Sequence, residues 1–153
     1  MAKVKLTYQF ATEDSIASAI IRWYTWSPFS HVDLVLPDGS LLGARLKGGV
    51  QIRQPGYAKF TKTARYCVEV EEDQANMLYN IARLQVGKPY NTRAILAFAF
   101  EDYPDAGGAS WDCSELQIWL LFKIGIKALN LNPEHVNRIT PRDLLMSPCM
   151  EPA

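Results

Sequence analysis

The sequence has no surplus of either charge: sixteen Lys+Arg balance sixteen Asp+Glu over 153 residues. A chain without a basic excess carries no electrostatic footprint for nucleic acid or an anionic lipid surface, so nucleic acid is not expected as a partner. Long hydrophobic runs are absent too. The longest, Ala94 to Phe100, falls far short of the roughly 20 apolar residues of a membrane-spanning helix, so no integral membrane segment is expected. The lysines of Met1-Ala2-Lys3-Val4-Lys5 are followed by no apolar h-region, which argues against a signal peptide. Cysteine is scarce. Three residues, an odd count without framework spacing, argue against a disulfide scaffold and fit reduced thiols in a cytoplasm. Two histidines and scattered cysteines offer no zinc-finger spacing, so neither a structural metal nor another cofactor is expected. No repeat, linker or low-complexity run divides the chain, and residues 1–153 read as a single domain.

What is present is ordinary for a globular protein: 48% apolar and 21% charged residues, at a length able to bury a core. Val4 to Phe10 alternates as a strand. Thr12 to Trp26 reads as a helix with Ile16, Ile20, Trp23 and Tyr24 on one side, broken by Ser27-Pro28-Phe29-Ser30. His31 to Leu36 and Ser40 to Leu46 form a hairpin about Pro37-Asp38-Gly39, and Lys47-Gly48-Gly49 turns into a strand from Val50 to Arg53. Gln54 to Thr63 reads as irregular. Ala64 to Val70 alternates again, with Cys67 on the face opposite Ala64, Tyr66, Val68 and Val70, so that it is either structural or half exposed. Glu71 to Val86 is a helix stopped by Gly87, Thr92 to Phe100 a short apolar helix, and Glu101 to Ser110 a glycine-containing loop expected to act as a mobile flap. Gly125 stops the following helix, and a turn-rich tail begins at Asn130. The expected fold class is α+β, a small antiparallel sheet packed against helices.

The most apolar helical stretch opens at Trp111-Asp112-Cys113-Ser114-Glu115 and continues through Leu116 to Phe122, apolar nearly all round, as a helix buried on every side should be. Asp112 is a good N-cap, and Glu115 three residues later completes the pattern of a capping box. Cys113 then occupies the first helical position, where unpaired N–H groups and the helix dipole favour thiolate over thiol. That describes an activated nucleophile, but a free cysteine also serves as a small core residue, and position alone leaves both readings open. A catalytic thiol wants an imidazole beside it. His135 lies in the polar turn Pro133-Glu134-His135-Val136-Asn137. His31 begins a strand directly after a proline-containing break, where a side chain can reach the N-terminus of a helix packed on the same sheet.

Taken together, Ser30-His31-Val32, the hairpin closed by Asp38-Gly39, Gly49-Val50, Cys113-Ser114-Glu115-Leu116 and Ile139-Thr140-Pro141-Arg142-Asp143-Leu144 resemble the circularly permuted NlpC/P60 (papain-like) cysteine hydrolases. Within that group the chain is similar to the YiiX-like bacterial proteins, and more distantly to the lecithin-retinol-acyltransferase-like enzymes. The resemblance spans about Val4 to Leu145, with the histidine strand ahead of the cysteine helix. It implies a permuted papain-like fold, Cys113 as nucleophile and His31 as base. It also implies that Tyr90, in Gly87-Lys88-Pro89-Tyr90, helps hold the oxyanion. The implied activity is hydrolysis of an amide bond in a peptide or peptidoglycan-like substrate, with an acyl lipid as the alternative and a host or phage setting left open. A non-catalytic binding module on the same fold is the rival reading. One departure bears on it: the polar residue that orients the histidine in the family falls here on Gly43, with Asp33 and Arg45 as neighbouring substitutes. Arg45 is a poor orienter because a cation disfavours an imidazolium. Asp33 would have to reach back along its own strand.

Overall fold

The first alternating segment becomes the spine of the sheet. In the computed structural model, which describes residues 2–13, 28–45, 47–90, 113–130 and 140–153, strand β1 runs Lys3–Glu13 and buries Leu6, Tyr8 and Phe10 completely. It pairs antiparallel on one side with β2 (His31–Val35) and on the other with β5 (Phe60–Glu71). Strands β3 (Leu41–Arg45), β4 (Gly49–Arg53) and β6 (Glu151–Pro152) complete a six-stranded sheet of order β4-β3-β2-β1-β5-β6. The register sets Leu42, Leu34, Tyr8 and Tyr66 in a row across four strands. Strict alternation then turns Leu6, Tyr8, Phe10, Val32, Leu34, Leu42 and Ala44 to one face.

On that face pack helix α1 (Glu72–Gln85) and helix α2 (Cys113–Lys123). Leu116, Ile118, Leu120 and Leu121 of α2 are fully buried, and each such side chain contributes roughly 1.5–3 kcal/mol on removal from water. The two helices are also tied by polar contact, Gln74 Nε2 donating to the Ile124 carbonyl at 2.9 Å. A short helix, α3 (Pro141–Leu145), is capped by Thr140, whose hydroxyl accepts from the Asp143 N–H while the Asp143 carboxylate accepts from the Thr140 N–H. The architecture is the α+β one expected, an antiparallel sheet with a buried helix opening at Cys113.

Two boundaries differ from the sequence pattern. Thr12 and Glu13, expected to open a helix, extend β1, and Phe60 to Thr63, expected to be irregular, extend β5. Each supplies the other's partner: Ala11 pairs with Thr63, Thr12 with Lys62, and a bulge precedes the pairing of Glu13 with Phe60. Cross-strand pairing overrides local propensity here. Cys67 is wholly buried, so of its two readings the structural one holds. The rest of the expected helix to Trp26, the helix from Thr92 to Phe100, the Glu101–Ser110 loop, the Asp112 cap and His135 lie outside the described residues.

Candidate active site

The break ahead of β2 is anchored so as to deliver His31 to the end of the sheet. The Ser30 N–H donates to the Ala11 carbonyl at 3.0 Å, Thr12 Oγ1 donates to the Pro28 carbonyl at 2.6 Å, and the Phe29 ring packs 5.8 Å from that of Phe10. Helix α2 lies against β2 and β3 and brings its first residue to the same place. Cys113 Sγ stands 3.9 Å from the Ser30 carbonyl oxygen and 3.8 Å from Ser114 Oγ. Cys113 keeps 6% of its surface and His31 7%, so both are buried without being sealed.

His31 Nε2 meets Asp33 Oδ1 at 2.7 Å, and Asp33 is itself buried. Residues two apart on a strand share a face, which lets the ring and the carboxylate meet side by side. Burial is the largest single influence on the imidazole and lowers its pKa. The charge of Asp33, the hydrogen bond to Asp33 and the hydrogen bond and charge of Cys113 together outweigh it and push His31 up to about 10. The ring therefore carries a proton through the neutral range. With Nε2 taken by Asp33, Nδ1 is the nitrogen left to the thiol.

Gly43 lies across the hairpin from Asp33, one step beyond the Leu34–Leu42 pair, and a Cβ placed on it would fall 1.9 Å from Asp33 Oδ1. The carboxylate thus fills the space that a side chain at Gly43 would need. Asp33 does reach back along its own strand, and Gly43 is what makes room for it. Arg45 does not orient the ring. It donates from Nη1 to Tyr57 Oη at 3.0 Å and from Nη2 to Glu13 Oε1 at 2.7 Å, and Tyr57 Oη donates to Asp33 Oδ2 at 2.8 Å. Tyr57 is the residue that sequence reasoning missed, since it lies in a stretch without periodicity.

Tyr90 is half buried and packs on the core cluster. The segment leading to it is held on β4: the Val50 N–H donates to the Lys88 carbonyl and the Gly87 N–H to the Val50 carbonyl, each at 2.9 Å. That approach requires glycine at position 49, where φ is +67° and a Cβ would come 2.2 Å from the Lys88 oxygen. The structure thus brings His31 and Cys113 together with Asp33, and sets Tyr90 beside the start of β4.

Asp33 and Cys113 address different nitrogens of one ring, so the three side chains do not converge on one point. Among the described residues no group of three or more His, Cys, Asp or Glu is placed to hold a metal ion. Likewise no helix among them is long and apolar enough to cross a membrane.

No family model matches the sequence, and no curated protein matches it either. Among solved structures the chain is similar to YiiX from Escherichia coli O157:H7, described as a metalloprotein. The two are 17% identical, over 97% of this chain and 95% of that one, with a TM-score of 0.72. At that identity the likeness is one of fold: this chain has the α+β, sheet-against-helices arrangement of YiiX.

Proposed function

We propose that the protein is a thiol hydrolase that cleaves an amide bond, peptide or peptidoglycan-like, through an acyl-enzyme on Cys113. The observation that carries this reading is the buried line Asp33–His31–Cys113, at the meeting of a strand start and a helix start. Cys113 Sγ attacks the amide carbon, and its proton rests on His31 Nδ1. The negative charge that forms on the carbonyl oxygen faces the N–H of Cys113, one of the N–H groups at a helix start without an intrahelical partner. By the resemblance to NlpC/P60 enzymes, the Tyr90 hydroxyl is a second donor there. The carbon–nitrogen bond breaks as His31 returns the proton to the departing amine. Water then attacks the thioester with His31 as base, releasing the acid and restoring the thiol. Asp33 holds Nε2–H and favours the imidazolium throughout.

The non-catalytic alternative draws on Gly43 as a missing orienter, and the contact of Asp33 with His31 favours the catalytic reading instead. The distant resemblance to acyltransferases extends the substrate class to acyl lipids, attacked by the same thiol. The test does not depend on identifying the substrate first. Iodoacetamide is expected to label Cys113 far faster than the buried Cys67 or the partly buried Cys149. In a panel of stem peptides and acyl esters, folded Cys113→Ala is expected to lose at least roughly a thousandfold in any turnover found. Turnover retained in that variant excludes the mechanism.

A further inference from the structure

The polar contacts continue beyond Asp33. Tyr57, between β4 and β5, touches Asp33 Oδ2, while Oδ1 is the oxygen on His31. Arg45, at the end of β3, has its Cζ 4.8 Å from the Tyr57 ring centroid and donates to the hydroxyl oxygen, and Glu13 at the end of β1 accepts from the same guanidinium. An arginine has no acceptor, so the hydroxyl oxygen must accept from Arg45 and send its own hydrogen elsewhere. Asp33 is the acceptor in reach. The direction of that hydrogen thus follows from the heavy atoms alone.

The gap at Gly43 explains why such a contact matters. The missing Cβ makes room for the Asp33 carboxylate, yet leaves no side chain on that side to hold it. The terminal torsion of an aspartate is broad and roughly two-fold, so room at Gly43 does not by itself choose its angle. We propose that Tyr57, itself held by Arg45 and Glu13, is a positioning residue that pins Asp33 Oδ2 and so keeps Oδ1 on His31 Nε2. The proposal rests on the reading of Asp33, His31 and Cys113 as one catalytic line. Among the described residues the charged and titratable groups in contact along that line are Cys113 from α2, Tyr57, Arg45 from β3 and Glu13 from β1, and Glu115 lies buried in the same first turn of α2 as Cys113. Gln9, opposite Asp33 on β1, is neutral and takes both Arg65 Nε and Nη2 on its Oε1.

Tyr57 also packs edge-on against Phe60, ring centroids 5.3 Å apart, which is a purely structural role. Tyr57→Phe separates the two, because it keeps both ring contacts and removes only the hydroxyl. On the full chain, the His31 ring is titrated by NMR and Cys113 alkylation by iodoacetamide is followed against pH. Tyr57→Phe is expected to lower the His31 midpoint and to slow alkylation near neutral pH roughly tenfold, as fits loss of one hydrogen bond to a charged group. Asp33→Asn is expected to do more, and Tyr57→Phe to add nothing in the Asp33→Asn background. Arg45→Met, which removes the donor behind the hydroxyl, is read on the same scale and is expected to shift both readouts in the same direction. If Asp33→Asn shifts both readouts while Tyr57→Phe and Arg45→Met overlay the wild type, the positioning role is overturned and the proposed function stands. If Asp33→Asn is silent as well, both fall.

Discussion

A methyl group added at Gly43 would stand 1.9 Å from Asp33 Oδ1, 3.1 Å from its Cγ and 3.3 Å from the Val32 carbonyl oxygen. The carbonyl belongs to a paired strand, so the carboxylate is what must move, away from His31 and Tyr57. Gly43→Ala is therefore expected to slow Cys113 alkylation near neutral pH and to cost about 1–3 kcal/mol, as overpacking does. Urea unfolding and the alkylation rate measure the two effects. A variant that folds and reacts as the wild type would show that Asp33 does not need the room left at Gly43. From the sequence, Gly43 reads as a vacant orienting position. The vacancy was legible, and so were Cys113 and His31 as a pair to bring together. The occupant was legible only as one of two candidates, Asp33 and Arg45. Whether an aspartate turns toward a histidine two residues earlier depends on rotamers and on a neighbour's missing Cβ across the hairpin, and neither leaves a mark on hydrophobic spacing. Tyr57 was hidden for a related reason, since a polar side chain in an aperiodic segment has no pattern to betray its contacts.

Among the elements, α2 was the most readable, because an all-round apolar stretch behind a polar start has few other places to go than a core. The Pro37-Asp38-Gly39 hairpin was readable for its turn chemistry, and the Asp38 side chain duly accepts from the Ser40 N–H at 2.9 Å. The far ends of β1 and β5 were not, since each is extended by the other rather than by its own residues. Within α2, one turn beyond the thiol, Gln117 is fully buried; its Nε2 donates to the Leu42 carbonyl at 3.2 Å, and its Oε1 has no partner among the described residues. This single bond ties the helix to β3 beneath the site. Gln117→Glu turns the donor into a carboxylate oxygen facing a carbonyl, and is expected to destabilise by about 3 kcal/mol or more. Gln117→Leu loses the bond but also relieves the lone acceptor, and is expected to stay within about 2 kcal/mol of the wild type. Chemical denaturation of the pair checks the ordering. The reverse ordering would mean that Gln117 Oε1 has a partner of its own.

At the scale of the whole molecule, β2 lies inside the sheet between β3 and β1, so the charge state of His31 bears on the stability of the entire fold. Its pKa stands at about 10 in the folded protein, against about 6.5 in an unfolded chain. Between these values the folded ring holds a proton that the unfolded ring has lost. In Cys113→Ala that proton is not drawn from the thiol, so the folded site as a whole binds one more proton than the unfolded chain. Stability must then fall as pH rises, because its slope follows the protons bound unfolded minus those bound folded. The stabilisation is fully present below about pH 6.5, where both states carry the proton. It is lost progressively as pH rises through the folded value of about 10. One proton contributes at most about 1.4 kcal/mol per pH unit across that window. Asp33, through its charge and its hydrogen bond, is the chief source of the elevation, so Asp33→Asn is expected to flatten the decline. Burial then acts without opposition from that charge, and the ring is expected to fold in its neutral form. Urea unfolding of Cys113→Ala and of Cys113→Ala with Asp33→Asn at matched pH values, kept below the range where tyrosines ionise, isolates the His31–Asp33 pair from the thiol. A stability of Cys113→Ala that holds level or rises through the window, or a decline of equal slope once Asp33→Asn is added, would show that His31 does not owe its proton to Asp33.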